Sequence, residues 1–183
     1  IIFTSGTSGH PQGVVHAHRA IWARRSMMDG WYGMTSDDRV MHAGAFNWTF
    51  TLGTGLMDPW SLGATALIPA EGTPVETLPL LLGRFDATLF AAAPGIYRKI
   101  LQNKALPALP KLKRGLSAGE KLSTGLREDW ETRTGYELCE AYGMTECSTF
   151  ISARPGSSDT LKIQEGRRVA LRPEGRESGT ICV

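Results

Sequence analysis

Thr4-Ser5-Gly6-Thr7-Ser8-Gly9-His10-Pro11-Gln12-Gly13 concentrates glycine and small hydroxyl residues between two runs, Ile1–Phe3 and Gly13–His16, that read as strands. Glycines give the backbone access to positive φ and let a ligand approach the main-chain N–H groups closely. The Ser and Thr hydroxyls add donors that rotate to suit. Successive N–H groups in such a loop form a concave nest for an anion. The spacing excludes a Walker A loop, because no Gly-Lys-Ser/Thr follows Gly6 at the required interval. A strand follows the loop, so a helix dipole is not its main attraction for phosphate. Composition alone also allows a plain hairpin turn or a linker.

Beyond the loop, short β-rich runs alternate with helical patterns, as expected of an α/β domain built on a mainly parallel sheet flanked by helices. His18–Trp31 reads as a helix, with Ala20, Ile21, Ala23, Met27, Met28 and Trp31 on one stripe and Arg24 and Arg25 off it. Candidate strands are Arg39–Ala43, Ala64–Ile68, Ala87–Phe90, Arg114–Ala118 and Glu137–Ala141. Candidate helices are Trp48–Ser61, Val75–Leu82, Gly95–Gln102 and Thr124–Thr134, with Pro94 at a first turn and Gly135 as a stop. Trp48–Ser61 is apolar nearly all round and should be buried. Arg154–Glu177, richer in Gly, Pro and charge, reads as a looped connection with one short strand at Val169–Leu171. The expected division is an α/β core over residues 1–153, then a connection and the start of a β-rich subdomain over residues 154–183.

Apolar residues make up 42% of the 183 and charged residues 21%, enough for one hydrophobic core and ordinary for a soluble domain. A net charge of +2 gives no bulk electrostatic reason to expect a nucleic-acid or membrane partner. Three scattered cysteines, Cys139, Cys147 and Cys182, argue against a disulfide framework or zinc site and fit a reducing, cytoplasmic compartment. The four histidines show no metal-ligand spacing; His16 and His18 read as structural, and His42 as a site candidate. No signal peptide or membrane-length apolar run is present. The strand-like ends, Ile1-Ile2-Phe3 and Thr180-Ile181-Cys182-Val183, read as cut from inside a folded domain.

Glu140-Ala141-Tyr142-Gly143-Met144-Thr145-Glu146 follows a predicted strand, where ligands collect in open α/β sheets. A hydroxyl and a carboxylate side by side on a turn suit a phosphate together with a divalent cation, since Mg²⁺ takes hard oxygen ligands and few protein carboxylates. Ser117-Ala118-Gly119-Glu120 ends another predicted strand in a turn. Ala45-Phe46-Asn47-Trp48 opens the buried helix, and a buried Asn47 between aromatics would need a polar partner, which a substrate could supply.

The Thr4–Gly13 loop resembles the signature loop of the adenylate-forming superfamily, which includes acyl-CoA synthetases, luciferases and peptide-synthetase adenylation domains. Tyr142–Glu146 resembles its Tyr-Gly-x-Thr-Glu motif and Ser117–Glu120 its Gly-Ala-Glu-type turn, all in family order across nearly the whole chain. The resemblance implies an ATP-dependent carboxylic-acid:CoA ligase that forms an acyl-adenylate and then a thioester, with ATP, Mg²⁺ and CoA. It implies that Thr4, Ser5, Gly6, Thr7, Ser8 and Gly9 wrap the β- and γ-phosphates, and that Gly119, Glu120, Ala141, Tyr142 and Gly143 line the nucleotide site. Tyr142 would pack on adenine, Thr145 contact phosphate and Glu146 hold Mg²⁺. Phe46, Asn47, Trp48, Ala118 and Gly143 would wall the acid, either aromatic, as in benzoate-type ligases, or short to medium in chain length.

Gln12 stands where the family usually has Lys; the lost charge would weaken phosphate binding by something on the order of 1 kcal/mol at an exposed site, or be tolerated. The family's ribose-binding aspartate and its C-terminal lid domain with the catalytic lysine would lie beyond Val183. A degenerate non-catalytic nucleotide-binding or interaction module, or an enzyme with an acceptor other than CoA, is the alternative.

Overall fold

Leu89-Phe90-Ala91-Ala92 is buried at every position, which a strand requires only when both faces of its sheet are covered. The computed structural model describes residues 1–4, 10–174 and 179–183 and places this run inside a seven-stranded sheet. In chain order its strands are β3 (Arg39–His42), β4 (Thr65–Leu67), β5 (Leu89–Ala92), β6 (Arg114–Ser117), β7 (Glu137–Met144), β8 (Ser148–Arg154) and β9 (Ser157–Ile163). They lie in the order β4-β3-β5-β6-β7-β8-β9. Strands β3 to β7 pair in parallel, and β8 and β9 add an antiparallel flank. Two hairpins stand apart from this sheet: β1 (Ile2–Thr4) with β2 (Gln12–Val14), and β10 (Ala170–Pro173) with β11 (Gly179–Cys182).

Side chains alternate to the two faces as the pleat dictates. Val40, Leu89, Ala91, Leu116, Cys139 and Ala141 face a layer built from Met27, Trp31, Tyr32 and Phe50. Met41, Phe90, Ala92 and Leu138 face the opposite layer, built from α4 (Leu78–Arg84), α5 (Pro94–Leu101) and α6 (Thr124–Thr134). Helix α6 matches its expected span: the Ser123 hydroxyl caps the Leu126 N–H, and Gly135 closes it at φ 78°.

Two expected helices are interrupted. His18–Trp31 forms α1 (Ala20–Ala23) and then a π-helical turn, Met28–Tyr32, ending at Gly33 with φ 55°. Trp48–Ser61 forms α2 (Thr49–Leu52), a π-helical turn over Gly53–Met57, and α3 (Asp58–Leu62). The second π turn lies where large polar side chains press in. A Cβ on Gly53 would run into the Arg24 guanidinium, and one on Gly55 would sit 2.6 Å from His42 Cβ. The second segment is largely buried as expected, apart from the exposed Trp60 and Ser61 at its end.

Two strand boundaries also differ. Strand β7 runs on to Met144 because its end pairs with β8, so Tyr142 and Gly143 lie within a strand and the turn occupies residues 145–147. Residues 157–163, expected in a loop, form β9. Its side chains are mostly exposed, so no burial pattern marks it; pairing with the edge of β8 holds it.

Asp38 ties the amino ends of the sheet together. Its buried carboxylate accepts from the Thr35 N–H at 2.8 Å and the Thr88 hydroxyl at 2.6 Å, and pairs with Lys113 at 2.7 Å. Its carbonyl accepts from Thr65 N–H at 2.9 Å. Residues at the starts of β3, β4, β5 and β6 thus meet at one side chain and its backbone. Burial alone would raise the carboxyl pKa, but the bonds from Lys113, Thr88 and the Thr35 backbone hold it below the usual range. A depressed carboxyl stabilises the fold above its unfolded pKa, and that contribution is lost as pH falls through the folded value. Asp38→Ala is expected to cost about 2 kcal/mol at neutral pH. The deficit should narrow in acid, as read by urea denaturation at several pH values.

Candidate active site at the carboxyl ends of β6 and β7

Strand β6 ends at the buried Ser117, and the chain turns through Ala118 into Gly119 at φ 96°, a region that favours glycine. The Trp48 indole lies against this glycine, so that a Cβ there would stand 2.5 Å from the ring. Trp48 meets Phe50 edge-on at 5.2 Å, and Phe50 stacks on Trp31 at 5.6 Å. The loop after β3 is thereby packed onto the turn after β6.

Strand β7 shifts register between Tyr142 and Gly143, a bulge of the kind that re-aims side chains next to sites. Gly143 then passes so close to β8 that a Cβ would run into the Ser148 carbonyl oxygen. The turn over residues 145–147 follows, closed by the Cys147 N–H donating to the Met144 carbonyl at 3.3 Å. Ser148 leaves it at φ 62°.

These elements enclose a cleft of about 200 Å³ lined by Trp48, Ala118, Gly119, Gly143 and Thr145, with Arg24, Thr49 and Ser148 among the other lining residues. A second cleft of about 290 Å³ shares Arg24, Thr49 and Ser148 and includes Glu146, with Ile21, Leu52 and Met57 among its apolar lining. A third, of about 530 Å³, lies at the ends of β3 and β4 beside His42, Phe46 and Glu71. The hydroxyls of Thr49, Thr51 and Ser117 are buried without a protein partner among the described residues, and Thr49 leaves polar capacity in the wall of the first cleft.

A charged group buried in this region is Arg24, which the sequence places off the apolar stripe of its helix. Its Nε and Nη2 donate to the Asp58 carboxylate at 2.8 and 2.6 Å, and Nη2 also donates to the Tyr32 hydroxyl at 3.2 Å. The Tyr32 hydroxyl donates to Asp58 Oδ2 at 2.7 Å and shares a 2.8 Å bond with Thr54. Burial works against the charge on Arg24, but Tyr32 and Asp58 beside it more than offset this, and it stays cationic. Burial and the Asp58 charge raise the Tyr32 hydroxyl, which stays protonated. A signal for Arg24 existed in the sequence: Asp58 lies in an otherwise apolar helix and demands a cation when buried.

The predicted site residues divide. Trp48, Ala118, Gly119, Gly143 and Thr145 come together at the first cleft, while the exposed Glu146 borders the second. Tyr142 projects at 43% exposure and rests edge-on against Phe150 at 5.3 Å. Ala141 is buried in the core, and Glu120 is exposed after the β6 turn. Phe46 borders the third cleft, and Asn47 is exposed, so the buried polar partner expected for it is not needed. Thr4 pairs with the exposed Gln12 across the β1–β2 hairpin, whereas Ser5, Gly6, Thr7, Ser8 and Gly9 lie outside the described residues. His16 and His18 border the second cleft.

Among the described residues no group of three or more His, Cys, Asp or Glu side chains converges as a metal cage. Burial pushes the Cys139 thiol up to about 12 and raises that of Cys147, so neither is a ready nucleophile. No helix among the described residues is long and apolar enough to cross a membrane.

The family model for AMP-binding enzymes matches residues 1–171. The chain is 32% identical over 168 residues to human mitochondrial acyl-coenzyme A synthetase ACSM3, covering 86% of this chain and 28% of that protein. It is 29% identical over 172 residues to a 3-hydroxybenzoate–CoA/4-hydroxybenzoate–CoA ligase of Thauera aromatica, covering 92% and 32%. Its fold superposes with a TM-score of 0.85 on the anthranilate CoA ligase AuaEII in complex with anthranoyl-AMP, at 30% identity, covering 94% of this chain and 35% of that one. A benzoate CoA ligase from Burkholderia xenovorans gives a TM-score of 0.84 at 28% identity, covering 94% and 36%. The chain thus spans about a third of the length of the curated relatives it matches.

His42 offers a test of this packing. Its Nδ1 accepts from the Gly44 N–H at 2.9 Å, its ring meets Phe50 edge-on at 4.3 Å, and burial pushes its pKa from 6.5 down to about 3. The unfolded chain takes up a proton near pH 6.5 that the folded chain refuses, so acid favours unfolding. Between pH 6.5 and 5 this one group should remove stability at up to about 1.4 kcal/mol per pH unit. His42→Asn, which keeps an acceptor near Gly44, should flatten that part of the pH–stability curve in denaturant titrations.

Proposed function

The chain belongs to the family of AMP-binding enzymes, and on that premise we propose that it forms the nucleotide- and acid-binding core of an ATP-dependent carboxylic-acid:CoA ligase. The observation that carries this reading is the meeting of Trp48, Ala118–Gly119 and Gly143–Thr145, distant in sequence, around one cleft at the carboxyl ends of β6 and β7. In the reaction, the acid's carboxylate oxygen attacks the α-phosphorus of ATP and pyrophosphate leaves. The CoA thiol then attacks the acyl carbon, loses its proton, and AMP departs with the electrons of the broken mixed-anhydride bond.

The side chains here orient and neutralise rather than form covalent bonds. Gly119 and Gly143 let Trp48 and strand β8 pack closely at the rim of the cleft, and the half-buried Thr145 hydroxyl donates to the α-phosphate. The open face of Tyr142 takes the adenine, with Glu120 and Ala141 in the segments beside it. Thr4 leads into residues 5–9, which take the β- and γ-phosphates. Glu146, an exposed carboxylate that belongs to no group of three or more acidic, histidine or cysteine side chains among the described residues, fits an Mg²⁺ held mostly by phosphate and water. That ion, when bound, neutralises phosphate charge.

Trp48, with Phe46 and Asn47 at the entrance to its helix, walls the acid. The aromatic packing of Trp48, Phe50 and Trp31, with similarity to benzoate, hydroxybenzoate and anthranilate ligases, favours an aromatic acid over a short or medium aliphatic one. Within residues 154–183, the separate β10–β11 hairpin begins the following β-rich subdomain. Three free cysteines favour a reducing, cytoplasmic setting.

Full-length protein assayed for ATP–pyrophosphate exchange against benzoate, hydroxybenzoates, 2-aminobenzoate, butyrate and hexanoate should respond most strongly to an aromatic acid. No acid-dependent exchange with any of them would sink the ligase reading. Glu146→Gln is expected to slow exchange by about 100-fold with the melting temperature retained. The isolated 183-residue chain should show no turnover.

A further inference from the structure

Arg24 directs its donors two ways. Nε and Nη2 are taken by Asp58, while Nη1 donates to the Ser148 hydroxyl across 124 residues of sequence. Ser148 is the first residue after the turn over residues 145–147, and its φ of 62° is a conformation that non-glycine residues hold only where their surroundings impose it. Its carbonyl lies against Gly143 on the other strand of the hairpin. Arg24, Thr49 and Ser148 line both the first and the second cleft, so the guanidinium–hydroxyl bond stands in the wall between them. The adjoining turn presents Thr145 to the first cleft and Glu146 to the second.

A buried ion pair adds little stability over a well-packed apolar substitute. The Arg24–Asp58 pair therefore needs a further reason to be here, and the bond to Ser148 supplies one. Asp58, Tyr32 and Thr54 hold the guanidinium in a single orientation, and its remaining edge reaches the turn.

We infer that Arg24 is a positioning residue that, anchored by Asp58, fixes through Ser148 the turn setting Thr145 and Glu146 on opposite sides of the wall. This inference rests on the ligase reading of the same site. It assigns Arg24 no contact with the reacting atoms.

Two variants of the full-length protein cut the link without uncovering a buried charge. Ser148→Gly accepts the left-handed backbone and removes the hydroxymethyl side chain that meets Arg24. Arg24→Lys keeps a cation opposite Asp58, but one ammonium lacks the fork that serves Asp58 and Ser148 together. Each should lower kcat for acid-dependent exchange about tenfold or more, with Ser148→Gly melting within about 3 °C of wild type. The double variant should be no slower than the worse single one, because both break the same link. Amide hydrogen exchange should quicken at residues 145–149 and be unchanged elsewhere in Ser148→Gly.

Wild-type kcat in Ser148→Gly, multiplying losses in the double variant, or unaltered exchange at residues 145–149 would each overturn the inference. If Arg24→Lys does not fold, Ser148→Gly decides alone. A wild-type protein without acid-dependent turnover refutes the ligase reading, and the amide exchange then still tests the positioning of the turn.

Discussion

Arg24 and Asp58 are both buried, and neither charge is tolerable in that position without the other. Their pairing fixes how the helical segment before β3 lies against the one after it. Gly53 must lack a side chain where the guanidinium passes, and the Tyr32 and Thr54 hydroxyls add further hydrogen bonds around the pair. With the two segments locked, Trp31, Met27 and Phe50 close over one face of the sheet. The same guanidinium ends in the wall of the site, so one electrostatic necessity links core packing to the geometry of the clefts.

The sheet beneath is finished differently at its two ends. At the amino ends of the parallel strands, Asp38 satisfies donors from three segments and its carbonyl a fourth. The carboxyl ends carry glycines, a bulge in β7 and hydroxyls without partners among the described residues. Backbone groups released at the ends of parallel strands need partners, and a site forms where the protein leaves that need unmet. A rigid, fully bonded base and an open rim are complementary parts of one design.

Much of this was legible from residue order. The central strands announce themselves as β-branched or apolar runs with turn residues between them, and α6 carries both its Ser123 cap and its Gly135 stop. Less legible was whatever depends on a partner distant in sequence. Residues 157–163 show no apolar alternation because β9 is held by edge pairing, not burial. The end of β7 extends past Ala141 only because β8 returns alongside it. Asn47 reads as buried between aromatics in one dimension and is exposed in three. Arg24 falls off the apolar stripe of its own helix, yet Asp58 draws it inward.

The sequence by itself determined the fold class and the family, because the glycine, hydroxyl and carboxylate residues of the Thr4–Gly13, Ser117–Glu120 and Tyr142–Glu146 segments occur in an order that local turn chemistry alone does not demand. Tertiary structure alone decided that Trp48 seats on Gly119, that Ser148 answers to Arg24, and that Thr145 and Glu146 face different clefts. The physical reason is range. Turn propensity and hydrophobic period act over a few residues, whereas a buried charge and a close-packed glycine are satisfied only by groups the chain brings back from far away.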